Sequence, residues 1–160
     1  MIQRTLVLIK PDGVQRCLSG QIITRFENVG MKIIGMKMVW VDKDFAKKHY
    51  HEHTEKSFYP GLEGVLTLGP VIAMVLEGVE AIAKVRQLVG STEPKSAAPG
   101  TIRGDFAHIS YGYADKKGLG IKNLVHASDS EESAKKEISL WFEKQEVHTY
   151  KNVHDVHIYD

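Results

Sequence analysis

Two hydrophobic periods alternate along this chain, and their order restricts the fold more than any other feature. Residues 5–9, TLVLI, form a short apolar run of β character closed by KPDG, which is strong turn chemistry. Ile22, Ile23, Phe26 and Val29 then recur at helical spacing behind Ser19, and Gly30 stands where a C′ glycine would end that helix. The β-forming run MKIIGMKMVWV follows at 31–41. Asp42 can cap a helix running to about His53, after which SFYPGLEG reads as irregular structure. VIAMVLEG is a third strand, and Val79, Ile82, Val85 and Val89 give a helical stripe that stops at Gly90. Leu124 and Val125 suit a last strand, and Ser128 with Glu131 has the capping spacing ahead of the helix EESAKKEISLWF. This order predicts an α+β, ferredoxin-like (split βαβ) antiparallel sheet, its helices on one face, with a helical excursion inserted between the second and third strands.

A chain of 160 residues suits one domain, residues 1–160, with 151–160 as a C-terminal tail exposing His154 and His157. A formal charge of +1 argues against a broad cationic surface and against non-specific duplex binding, so any anion site must be local. Cys17, the only cysteine, permits neither an internal disulfide nor a thiolate metal cluster and reads as an ordinary free thiol. The longest apolar run, the six residues Val71 to Leu76, is far short of the ~20 needed to cross a bilayer. Lys10 and Pro11 interrupt the start before it could serve as a signal segment, so a cytoplasmic protein is expected.

Chemistry concentrates late in the chain, where NLVHASDS places His126 at a strand end beside a helix N-terminus. Unpaired N–H groups and a partial positive charge there would favour a phosphoryl group arriving at the imidazole. No G-x-x-x-x-G-K-[ST] occurs, and GLGIKN does not follow the dinucleotide fingerprint, so nucleotide binding would need another device. His49, His51 and His53 suggest a metal site, but no third ligand of the H-E-x-x-H kind is evident, and a solvated helix face is the reading preferred. Residues 91–104 and 111–122 are long Gly-containing stretches of the kind that is usually functional or mobile. Lys10, Arg86 and Arg103 are scattered cations, each unremarkable alone.

Taken together, KPDGVQR at 10–16, HYHEHTEKSFYPGL at 49–62, GPVIAMVLEG at 69–78, PGTIRGDF at 99–106 and NLVHASDS at 123–130 resemble the nucleoside diphosphate kinase family, over residues 3 to 150. The resemblance implies a ping-pong phosphotransferase moving the γ-phosphate of a nucleoside triphosphate to a nucleoside diphosphate through a phosphohistidine on His126. It implies Arg86, Arg103 and Thr92 as phosphate contacts, Lys10 and Asn123 as contacts to phosphate and ribose with Tyr50 beside them, and Phe58 as the aromatic on which the base stacks. Stacking leaves base edges unread, hence broad base specificity. Glu137 matches the family's imidazole-orienting carboxylate and Ser128 its hydroxyl partner. No protein metal cluster is expected: Mg²⁺ would arrive on the nucleotide, with Asp129 helping through water. A hexamer or tetramer of identical subunits is a further implication.

The match departs in places. Ala127 stands where glycine is frequent, Ser57 where proline is frequent, and Lys56 where arginine is frequent. Phe106 and Asn123 are separated by about ten more residues than in many members, an inserted loop long enough to be functional. Gly112 to Lys122 could be a flap over the base, a surface insertion or a subunit contact, and the residue meeting the second face of the base is not placed. The alternative function is a non-catalytic ferredoxin-like module that binds nucleotide or a partner; a third is a histidine-rich metal binder.

Overall fold

The computed structural model describes residues 1–159; Asp160, the end of the expected tail, lies outside the described residues. Strands β1 (Ile2–Ile9), β2 (Lys32–Val39), β3 (Val71–Val79) and β4 (Val125–Ala127) form one antiparallel sheet in the order β2-β3-β1-β4. Helices α1 (Pro11–Gln15) and α2 (Ser19–Glu27) join β1 to β2, and the excursion before β3 carries α3 (Lys43–His49) and α4 (Tyr59–Leu66). Helices α5 (Ala81–Val89), α6 (Ile102–Phe106) and α7 (Tyr111–Lys116) lead to β4, followed by α8 (Glu131–Trp141) and α9 (Val153–His157). This is the α+β, ferredoxin-like sheet that the order of periods predicts.

The expectation that helices cover one face is wrong; they cover both. Alternation along β1 sends Val7 and Ile9 to one side, where they meet Ile22 and Phe26 of α2 and Val85 and Val89 of α5. Leu6 and Leu8 point the other way, into a second core with Ala46, Leu66 and Trp141 from the excursion and α8. The run from Leu6 to Ile9 is continuously apolar because both faces of β1 are buried there. Each such buried aliphatic side chain contributes about 1.5–3 kcal/mol.

KPDG is no simple turn: Lys10 is extended and Pro11 opens α1, where the missing N–H costs nothing and φ is already helical. SFYPGLEG supplies most of α4, again with proline in the first turn and with Val65 and Leu66 buried behind it. The helix from Asp42 ends at His49, and a 3₁₀ turn covers His51–His53. The 91–104 stretch contains a 3₁₀ turn at Pro94–Ser96 and the start of α6. The inserted stretch 111–122 begins as α7, whose N-terminus is closed by the Ser110 hydroxyl accepting the Tyr113 N–H.

The tail is exposed but docked rather than loose. Buried Lys32 pairs with Glu77 of β3 and with Asp155 of α9, and the Tyr150 hydroxyl donates to the Ile33 carbonyl. At the end of α5, Gly90 has φ 85°, a left-handed conformation that side chains resist, and its carbonyl faces the next helix.

Candidate active site

The site is built on a strained turn immediately before β4. The Val125 N–H donates back to the Asn123 carbonyl at 2.8 Å, which throws Leu124 to φ 72°. A non-glycine residue held there costs about 1–3 kcal/mol, so neighbouring groups must over-determine it. They do so from several directions. The Asp12 carboxylate accepts the Leu124 N–H at 3.0 Å, and the Lys10 N–H donates to the Leu124 carbonyl at 2.8 Å. Arg103 grips both ends: Nε donates to the Asn123 carbonyl and Nη2 to the Val125 carbonyl, at 3.1 and 2.7 Å, while Nη1 reaches the Gly90 carbonyl at 3.0 Å. The turn thereby delivers Asn123 and His126 to one cavity.

His126 stands in register with Leu8 on β1. Its Nε2 meets Oε1 of Glu137 on α8 at 2.9 Å. The Ser128 hydroxyl donates to Oε2 of the same carboxylate and accepts the Leu6 N–H at 3.2 Å. A line of hydrogen bonds therefore runs from the backbone of β1 through Ser128 and Glu137 to the imidazole, leaving Nδ1 without a hydrogen-bond partner among the described residues. Ser128 does not cap α8, as its spacing suggested; Ser130 does, accepting the Ser133 N–H.

Around this imidazole lies a cavity of about 1050 Å³. Lys10, Tyr50, Phe58, Arg86, Thr92, Arg103, Asn123 and Glu137 all line it with His126, so the sequence-predicted residues converge there, with Ser128 just behind Glu137. Arg86 Nη1 donates to the Ala127 carbonyl at 3.3 Å, beside the nucleophile candidate. Asn123 Nδ2 donates to the Thr92 carbonyl at 2.8 Å, leaving its buried Oδ1 unpartnered among the described residues. Buried acceptors of this kind are costly unless a ligand satisfies them. Phe58 lines the same cavity and is 53% exposed.

Burial dominates the electrostatics. It lowers the Lys10 ammonium to about 8, with Asp12 raising it and Arg103 lowering it. It also lowers Arg103 to about 10, helped by Arg86. Tyr50 is held well above the ordinary phenol range by burial, then by Glu137 and Asp12, and keeps its proton. Clustered, poorly hydrated cations in a cavity make a strong local anion site on a chain of almost no net charge.

The inserted segment is pinned. Gly120 packs so closely on Gly61 of α4 that a Cβ there would lie 2.0 Å from the Gly61 oxygen. The Ile121 carbonyl accepts Lys10 Nζ at 3.4 Å, and the Tyr111 N–H donates to Glu93. Leu119, 57% exposed, lines the same cavity as Phe58. Asp12 and Leu119 carry no signal of their own in the sequence, one lying in turn chemistry and the other in a stretch that reads as functional or mobile.

The histidine cluster is not the solvated helix face its spacing suggests. His51 is exposed, but His49 is buried against His126, with ring centroids 4.7 Å apart, and accepts the Trp141 indole N–H at 3.2 Å. It faces the site and not solvent. His49, His126 and Glu137 bring potential ligand atoms within 4.8 Å of one another, a grouping that spacing along the chain could not reveal.

A family model described as nucleoside diphosphate kinase matches residues 3–147. The nucleoside diphosphate kinase of Pyrococcus furiosus is 52% identical over 149 residues, covering 93% of this chain and 88% of the relative. That of Archaeoglobus fulgidus is 49% identical, covering 99% of each. The structure is similar to a transition-state mimic of the Borrelia burgdorferi enzyme with bound vanadate and ADP, at TM-score 0.95 and 44% identity, covering 99% of this chain and 97% of that one. It is also similar to the Halobacterium salinarum enzyme in complex with CDP, at TM-score 0.89 and 42% identity over the whole of both chains. With the family model spanning most of its length and relatives this similar end to end, the chain belongs to the nucleoside diphosphate kinase family.

Proposed function

We propose that this chain moves the γ-phosphate of a nucleoside triphosphate to a nucleoside diphosphate by a ping-pong route through His126. The observation that carries this reading is the Nε2–Glu137 hydrogen bond, which holds the proton on one nitrogen and leaves the Nδ1 lone pair at the cavity. In the first half-reaction Nδ1 bonds to the γ-phosphorus while the bond to the β–γ bridging oxygen breaks, and the nucleoside diphosphate leaves. In the second, a terminal oxygen of the acceptor diphosphate bonds to phosphorus and the N–P bond breaks, returning the neutral imidazole. Such a loose transition state needs position and charge stabilisation rather than covalent help. Arg86, with the N–H groups of Arg103 that its carbonyl contacts do not use, and Lys10 are the cations at hand. Glu137 spreads the positive charge that the ring acquires as the N–P bond forms, while Ser128 keeps the carboxylate aligned.

Phe58 provides a stacking face for any base, with Leu119 in the same cavity for the opposite side, and the ADP and CDP bound by the two relatives support broad base specificity. Mg²⁺ belongs to the substrate: the one His/Asp/Glu grouping among the described residues is nitrogen-rich and suits a hard cation poorly. Asp129 lines the cavity, its carboxyl held below the usual range chiefly by the Ser133 hydroxyl, and is placed to meet a hydrated cation.

The chain acts as one domain in a cytoplasmic homo-oligomer, a hexamer or tetramer. Support for assembly comes from β2, a sheet edge whose Met36 and Met38 are exposed with nearby Trp40. No helix among the described residues is long and apolar enough to cross a membrane. Incubation with γ-labelled ATP followed by a GDP chase tests the function: the label should enter the protein, prove acid-labile and base-stable, and leave as GTP. Label that GDP cannot remove would defeat the ping-pong reading.

A further inference from the structure

Glu137 fixes one nitrogen of His126, but a single hydrogen bond leaves a ring free to roll about that axis. The nucleophilic lone pair lies in the ring plane, so rolling would swing it away from the phosphorus, and a misplacement of this size is expensive in rate. A second contact must set the plane.

The neighbouring ring is that of His49, the last residue of α3. Its ring meets that of His126 edge to face, at 82° with centroids 4.7 Å apart. His49 is itself held on two sides, edge-on to Trp141 at 5.5 Å and tilted against Tyr50 at 4.6 Å. Trp141 does more than pack. An indole N–H can only donate, so the His49 Nδ1 that receives it at 3.2 Å is the acceptor, and the hydrogen of the neutral ring sits on Nε2. That Nε2 is buried and has no hydrogen-bond partner among the described residues.

Resting on the phosphohistidine reading above, we infer that His49 is a positioning residue: Trp141 locks it in the Nε2–H form, and its edge-on ring fixes the plane of His126 so that Nδ1 points at the incoming phosphorus.

The same hydrogen bond speaks against a metal at the His49–His126–Glu137 grouping. To bind a cation through Nε2, His49 would have to move its hydrogen to Nδ1, straight against the indole N–H. Burial, then the neighbouring His126, His53 and His51, also oppose a charge on His49, so it adds no second cation beside the ring that must stay neutral to attack.

Rapid-quench measurement of phosphoenzyme formation with γ-labelled ATP tests this on the full chain. His49→Leu, which fills the space without a ring plane, should label His126 completely but at least tenfold more slowly, with nucleotide KM within about twofold of the parent. His49→Phe, which restores a flat edge, should recover most of the rate. Parental speed in His49→Leu would mean the residue only fills the core, and a raised KM would make it a nucleotide contact; either overturns the inference. Absence of His126 labelling in the parent would instead sink the proposed function. If the variants do not fold, ring ¹⁵N spectra of the parent decide: Nε2 protonated and Nδ1 bare from pH 6 to 8, unmoved by Zn²⁺, is expected. Protonation at Nδ1 or a Zn²⁺-dependent shift of His49 overturns the lock.

Discussion

The Asp12 carboxylate, set in the first turn after β1, holds the backbone N–H of Leu124 at 3.0 Å across the start of β4. Two segments more than a hundred residues apart in sequence are joined there, and the strained turn that aims Asn123 and His126 depends on the junction. Asp12→Ala should therefore cost stability of about 1–3 kcal/mol by leaving a buried N–H unpaired. It should also lower kcat, since the turn relaxes. Urea unfolding alongside steady-state kinetics checks both, and a stable variant with full kcat would show that the turn supports itself.

Arg103 spends three N–H groups on carbonyls around that turn, so its fork is a structural clamp as well as a source of charge. Arg103→Lys keeps the charge but replaces a planar fork with one ammonium group. Loss of both stability and kcat for every nucleotide is expected. Arg86→Lys, which gives up a single 3.3 Å contact to Ala127, should lose kcat with little change in unfolding free energy. Equal destabilisation of the two variants would contradict the division of roles.

Lys10 gives a pH signature. Burial lowers its ammonium to about 8, so in the free protein its charge is present below pH 8 and is lost as pH rises through that value. Phosphate arriving beside it favours the charged form and raises its pKa in the complex. Because kcat/KM reports the free enzyme and kcat the complex, kcat/KM should fall above pH 8 while kcat stays level. Stopped-flow assays from pH 6.5 to 9.5 would show it; a flat kcat/KM would remove Lys10 from the phosphate contacts.

A Cβ on Gly120 would have to displace Gly61, which it would approach to 2.0 Å. Gly120→Ala should push the inserted segment off α4, withdraw Leu119 from the base slot and raise KM for ADP, GDP and CDP together. Phosphohistidine should still form, because His126, Glu137 and the arginines lie elsewhere. Unchanged KM values would mean that the insertion does not touch the nucleotide.

The order of strands and helices was legible because periods of two and 3.6 alternate cleanly, and Gly30 and Gly90, both at positive φ, mark helix ends. Helices opening with proline, at Pro11 and Pro60, read from the sequence as a turn and as irregular structure respectively, because Pro-Asp and Pro-Gly chemistry serves both purposes. The two-faced core was hidden because one continuous apolar run, Leu6 to Ile9, supplies both faces. His126 and its cations could be picked out by residue type and resemblance. The roles of Asp12 and His49 could not, since each acts on a partner brought near only by folding: Leu124 in one case, Trp141 and His126 in the other.

Glu137 holds Nε2 of His126 by a hydrogen bond, which would leave Nδ1 to attack. The most direct measurement is the identity of the phosphorylated nitrogen, read by NMR on protein labelled with ATP and kept at alkaline pH. Phosphate on Nδ1 of His126, and none in His126→Ala, is the expected result. Phosphate on Nε2, or on another residue, would contradict it.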